Sequence, residues 1–135
     1  MIVVDTGPIV ALMNNRDNYH TTCRELLTNA PGPLLVPAPV FTEVCLLLES
    51  RRGTHAELAF LRDVADGIFT VIDMTPADLI RICELVDKYA DLPLGTVDAS
   101  VVAVAERFPI TAVATLDRKH FSVVQSKIGS LLLVP

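Results

Sequence analysis

Four carboxylates stand where an ordinary surface acid has no reason to be. Asp5 follows the apolar run Ile2, Val3 and Val4, and precedes the turn-forming Thr6, Gly7 and Pro8 and a second apolar series of Ile9, Val10 and Leu12. A fully buried strand reads as a continuous apolar run, and Pro near the first helical position marks a helix start. Asp5 is therefore expected at the junction of a buried strand and a helix, the edge where open α/β sheets bind ligands. A helix cap is an equally good reading of it. Glu43 has Pro39, Val40, Leu46 and Leu47 three and four positions away, all apolar and all on its own helix face. Burying a carboxylate there is costly unless its charge is compensated. The plainer alternatives are a partly exposed Glu at the margin of the stripe, or one paired with an Arg. Asp98 falls in the first turn of the most apolar helix in the chain, beside Val101 and Val102. There the helix dipole favours an acid, and Thr96 is a candidate cap. Asp117 comes one residue after the strand candidate Thr111–Thr115, repeating the strand–acid–helix order seen at Asp5 and open to the same capping explanation. Asp63, Asp66, Asp78, Glu84 and Asp87 read as solvent-facing helix charges.

Taken together the four carry more than any one does. Asp5 and Asp117 lie just past two strand ends, and Glu43 and Asp98 near two helix starts. In a parallel sheet these positions share one edge. If the strands of Asp5 and Asp117 are neighbours, the crevice between them is the topological switch point. Four carboxylates gathered there repel one another. The usual resolution is a hard divalent cation with oxygen ligands, Mg²⁺ or Mn²⁺. An acidic pocket of that kind points to phosphoryl chemistry.

The elements that must position these residues are legible in the apolar periodicity. Short strands are expected at Ile2–Val4, Leu34–Val36, Ile68–Ile72, Thr111–Thr115 and Leu131–Val134. Helices are expected from Ile9, over Tyr19–Ala30, Val40–Arg52, His55–Asp66, from Thr75 to about Tyr89, and over Thr96–Phe108, with at most a short one at Arg118–Phe121. Leu58, Leu61, Val64 and Ala65 form one predicted core stripe, and Leu79, Ile82, Leu85 and Val86 another. Strands separated by helices predict an α/β fold with right-handed crossovers, a three-layer α/β/α sandwich around a mainly parallel sheet of about five strands. A chain of 135 residues without linker or repeat is expected to form a single domain over 1–135.

Composition narrows the function. The net charge of −5 argues against a general grip on nucleic acid, which needs a basic footprint, yet leaves room for a nucleic-acid enzyme whose acidic site is loaded with a cation. Cys23, Cys45 and Cys83 are odd in number and widely spaced, so buried free thiols in a reducing cytoplasm are expected rather than disulfides or a zinc site. No stretch approaches the roughly 20 apolar residues needed to cross a bilayer, and no signal peptide is expected.

The stretches M-I-V-V-D-T, P-V-F-T-E-V around Glu43, L-P-L-G-T-V-D-A-S-V-V-A-V-A-E-R around Asp98 and V-A-T-L-D-R-K-H-F at Asp117 together resemble a PIN domain, specifically a VapC-type ribonuclease toxin of a bacterial type II toxin–antitoxin pair. The resemblance runs the length of the chain. It implies a PIN-like fold and metal-dependent hydrolysis of RNA phosphodiester bonds. Under it, Asp5 and Asp98 are the principal carboxylates for Mg²⁺ (or Mn²⁺), and Glu43 and Asp117 complete the catalytic set. It also implies a homodimer and a VapB-type antitoxin whose C-terminal segment lies across the groove. Thr6 and Thr115 are candidates to hydrogen-bond the carboxylates, or are ordinary turn and strand residues. His20, His55 and His120 share no ligand spacing and read as surface residues. Arg118 and Lys119, beside Asp117, are candidates to guide RNA phosphates, whereas Arg51 and Arg52 fit helix C-terminal charges better. The alternatives are a catalytically inactive PIN-like module that binds RNA or protein, and a phospho-acceptor signalling domain. The latter wants an acid pair after the first strand and a Lys after the last, and the chain has neither.

Overall fold

The computed structural model describes residues 1–135, and no helix in it is long and apolar enough to cross a membrane. Five strands form one sheet: β1 (Ile2–Val4), β2 (Leu34–Pro37), β3 (Phe69–Ile72), β4 (Ala112–Ala114) and β5 (Leu132–Val134). Their order is β3-β2-β1-β4-β5 and every pairing is parallel. Seven helices connect them: α1 (Thr6–Leu12), α2 (His20–Asn29), α3 (Ala38–Arg52), α4 (Thr54–Ala65), α5 (Pro76–Lys88), α6 (Thr96–Arg107) and α7 (Arg118–Phe121). The chain steps from β1 outward to β2 and β3, then crosses back to β4 and β5. Helices α5 and α6 form the long return connection from β3 to β4. That reversal leaves β1 and β4 adjacent, with Val3 opposite Val113 and Val4 opposite Ala114.

The central strands are short because they are buried on both faces. Val3, Val4, Val36, Val113 and Ala114 are almost wholly inaccessible, as branched aliphatics in a covered parallel sheet should be. Helix α6 is buried almost all round: Ala99 through Ala105 form an unbroken buried run that includes Ser100, whose hydroxyl donates back to the Val97 carbonyl at 2.6 Å. Phe60 and Phe69 fill the space between α4 and β3 with tilted rings 5.6 Å apart. Gly53, at φ +87°, ends α3 and lets α4 turn straight back against it.

Several expectations are corrected. Leu58, Ala65 and Leu79 belong to the predicted core stripes but are exposed; Phe60 is the buried residue of α4, and Ile82 and Leu85 carry α5 inward. Both helices present a second, weaker apolar face that periodicity alone does not separate from the first. Asp78, expected on a solvent face, is buried. It completes a capping box with Thr75, the Asp78 amide donating to Thr75 Oγ1 at 3.1 Å and the Thr75 amide to Asp78 Oδ2 at 2.9 Å. Arg107 at the end of α6 pairs with the same carboxylate at 3.0 Å, so its charge is compensated by tertiary packing. Of the three free thiols, Cys23 is buried, Cys45 half-buried and Cys83 exposed on α5.

Candidate active site

Asp5 is locked at the rim of the sheet. Its amide donates to the Ala114 carbonyl at 2.9 Å, extending the β1–β4 ladder by one bond, and the chain then turns into α1. Although Asp5 occupies the N-cap position, its side chain makes no capping hydrogen bond. Its Oδ2 accepts instead from Thr115 Oγ1 at 2.8 Å, across the switch point. The carboxyl is only 5% exposed. Burial pushes its pKa from 3.8 up to about 6, the Thr115 hydroxyl and a backbone amide hold it down in part, and the charges of Asp98 and Glu43 push it up further.

The other three acids arrive from three more elements. Glu43 sits in the second turn of α3, half-buried, and Oε2 accepts from Thr6 Oγ1 at 3.3 Å. Asp98 stands in the first turn of α6, where the cap residue is Gly95 rather than Thr96. Its pKa is raised, first by burial and then by the charges of Asp117 and Glu43, with His120 relieving part of the repulsion. Asp117 is the N-cap of α7, Oδ1 accepting from the His120 amide at 3.0 Å. Burial pushes Asp117 up, but hydrogen bonds from the His120 amide and ring outweigh it, and the net shift is downward. So Asp5, Glu43, Asp98 and Asp117 are close enough to feel one another's charge, and all four lie at one edge of the sheet. None of Asp5, Glu43 or Asp98 is paired with a Lys or Arg; the one ion pair within the cluster is His120 with Asp117, and the others lie elsewhere.

Thr6 and Thr115 both bond carboxylates of the cluster. Thr115 is the linchpin: 1% exposed, it donates to Asp5 and accepts the Asp117 amide at 2.9 Å, joining the two strand-end acids through one hydroxyl. His120 was expected on the surface and is instead half-buried, its Nδ1 on Asp117 Oδ2. Donor atoms of Asp98, Asp117 and His120 lie within 4.8 Å of one another. The spacing of three from Asp117 to His120 was the available signal, since a residue three positions after a cap faces back onto it. His55 is exposed as expected, while His20 is half-buried with Nδ1 on the Ala11 carbonyl at 2.9 Å. Arg118 is drawn away from the cluster, its guanidinium on the carbonyls of Leu133 and Pro135 at the end of β5; Lys119 is exposed.

The donor set is oxygen-rich, negatively charged and paired with no Lys or Arg, which is the chemistry that suits a hard divalent cation. An all-parallel α/β sheet with such a cluster over its switch point defines the class, and residues 2–127 match the model of the PIN domain. The chain is 31% identical over 124 residues, covering 92% of both proteins, to Ribonuclease VapC26 of Mycobacterium tuberculosis. The chain belongs to the PIN-domain family, in its VapC group. The crystal structure of M. tuberculosis VapC20, a sarcin–ricin loop cleaving toxin, superposes with a TM-score of 0.78 at 26% identity, covering 84% of this chain and 87% of that one. A toxin–antitoxin complex from Klebsiella pneumoniae shares the fold, with a TM-score of 0.74 at 18% identity over 92% of both chains.

Proposed function

We propose that this protein is a ribonuclease toxin that hydrolyses RNA phosphodiester bonds with the help of Mg²⁺ or Mn²⁺, acts in the cytoplasm and is held in check by a VapB-type antitoxin. The observation that carries the reading is the convergence of Asp5, Glu43, Asp98 and Asp117 at the β1–β4 switch point with no Lys or Arg paired to any of them. Stable burial of that much like charge calls for a cation from outside the chain. Its similarity to Ribonuclease VapC26 supports RNA as the polymer cut. The toxin–antitoxin complex of the same fold supports a protein inhibitor.

Asp5 and Asp98 would hold the cation, which when bound polarises a phosphoryl oxygen and lowers the pKa of a coordinated water. The chain's own residues do the rest. Thr115 keeps Asp5 turned toward the crevice, and Thr6 does the same for Glu43. Glu43 and Asp117 complete the pocket, orient the attacking water and accept its proton as the new P–O bond forms and the ester P–O bond breaks, the leaving ribose oxygen taking up a proton from solvent water. The single-domain organisation and a homodimer belong to the same reading; Leu46 on α3, 64% exposed, gives a partner copy an apolar contact.

RNA cleavage with Mg²⁺ or Mn²⁺ tests the reading, comparing wild type with Asp5→Asn and Asp98→Asn. Both substitutions keep size and remove charge, so each should lower kcat by at least about a hundredfold. Equal activity in all three proteins, or activity that survives a chelator, overturns the proposal.

A further inference from the structure

His120 is spent on a neighbour. It is the third residue of α7, and it holds both oxygens of the Asp117 carboxylate at once. Its backbone amide donates to Oδ1 at 3.0 Å, and its ring Nδ1 meets Oδ2, as a donor, since an ionised carboxylate only accepts. The Asp117 amide is itself anchored on Thr115 Oγ1 at 2.9 Å. A carboxylate fixed at both oxygens and at its own amide has little freedom to rotate. It needs that restraint, because Asp98 approaches it closely: donor atoms of Asp98, Asp117 and His120 all lie within 4.8 Å of one another. Two acids at this range favour turning apart. His20 shows that the arrangement is particular to position 120, since its Nδ1 serves only a backbone carbonyl of α1.

We propose that His120 is a positioning residue: by holding both oxygens of Asp117 it keeps that carboxylate beside Asp98 against their repulsion, and so sets the divalent-cation affinity of the acidic centre. This rests on the reading of the four acids as a cation site. Groups that orient such carboxylates typically govern affinity or activity by about 10- to 100-fold when removed.

The test is Mn²⁺ binding by the native protein without RNA, followed by electron paramagnetic resonance and by calorimetry. Wild type is compared with His120→Ala, His120→Asn, Asp117→Asn and the His120→Ala/Asp117→Asn double variant, each checked for an unchanged melting profile. Asn offers an amide N–H near the place of Nδ1. His120→Ala should weaken Mn²⁺ binding by roughly 10- to 100-fold, and His120→Asn should recover most of the loss. On the Asp117→Asn background, removing the ring should change nothing further, since a residue acting through Asp117 is fully coupled to it. Wild-type affinity in His120→Ala, or additive losses in the double variant, overturns the role of His120 and leaves the cation site standing. A wild-type protein that binds no Mn²⁺ overturns both.

Discussion

Asp5 is held in a place that suits chemistry better than stability. Its carboxyl is buried, faces two other acids and has one hydroxyl and one backbone amide to relieve it. Because its pKa in the folded protein, about 6, lies above the ordinary 3.8, the folded state binds more protons than the unfolded state between those values. Stability therefore falls as pH rises through that window. With cations removed by chelator, the protein should be most stable near pH 4 and lose up to about 3 kcal/mol by pH 7 on account of this group. Asp5→Asn, which cannot ionise, should flatten that slope and melt higher than wild type at pH 7 while cleaving nothing. Thermal melts from pH 4 to pH 7 check this, and a variant with the wild-type slope would show that the carboxyl is not the group responsible. The same residue shows where sequence reading stops. Its position at a strand end was evident from M-I-V-V-D-T, but cap and site carboxylate were equal readings. Only the Thr115 hydroxyl, 110 residues away in sequence, turns the side chain from one role to the other.

At the scale of elements, most of the fold was legible because the apolar runs are long and sharply punctuated. All five strands and the amphipathic helices lie within a few residues of where periodicity places them, and α7 is the short helix expected. The two misplaced polar residues owe their burial to partners, one across the fold and one within a single turn. Asp78 reads as a surface charge in isolation, and Arg107, one helix further on, is what makes its burial tolerable. His120 reads as a surface histidine until Asp117 is known to cap α7. The Asp78 arrangement makes a prediction about α5. Asp78→Ala removes half of a capping box and deprives the Arg107 guanidinium of its carboxylate, leaving it the Asp73 carbonyl at 2.9 Å and the face of the Phe108 ring. The cap alone is worth about 1 kcal/mol and the charged hydrogen bond a similar amount, so a loss of about 2 kcal/mol is expected in urea unfolding. The acidic cluster lies on other elements, so RNA cleavage well below the melting temperature should be unchanged. A loss of activity without a loss of stability would place Asp78 in the catalytic machinery instead.

For the whole molecule, net charge and substrate pull in opposite directions. A chain of charge −5, with four of its 16 acids gathered at one sheet edge, repels RNA from the very crevice that is proposed to cut it. Of the two candidates to offset this, Arg118 is committed to the carbonyls at the end of β5, and Lys119 is exposed, its charge felt at Asp117. The exposed basic residues Arg51 and Arg52 are the last two of the 15 residues of α3, at its far end. A helix rises about 1.5 Å per residue, which puts them roughly 20 Å along its axis from that edge. The cation is then required for binding as well as for chemistry. RNA retention measured with a non-cleaving oligonucleotide should be weak in chelator, even at low ionic strength where basic footprints bind best. It should rise at least about tenfold on adding Mn²⁺, a difference of about 1.4 kcal/mol. Asp98→Asn should reduce this response, because it removes a cation ligand. Should RNA bind equally well with and without the cation, recognition must reside on a surface remote from the four acids, and charge neutralisation at the switch point would have no part in it.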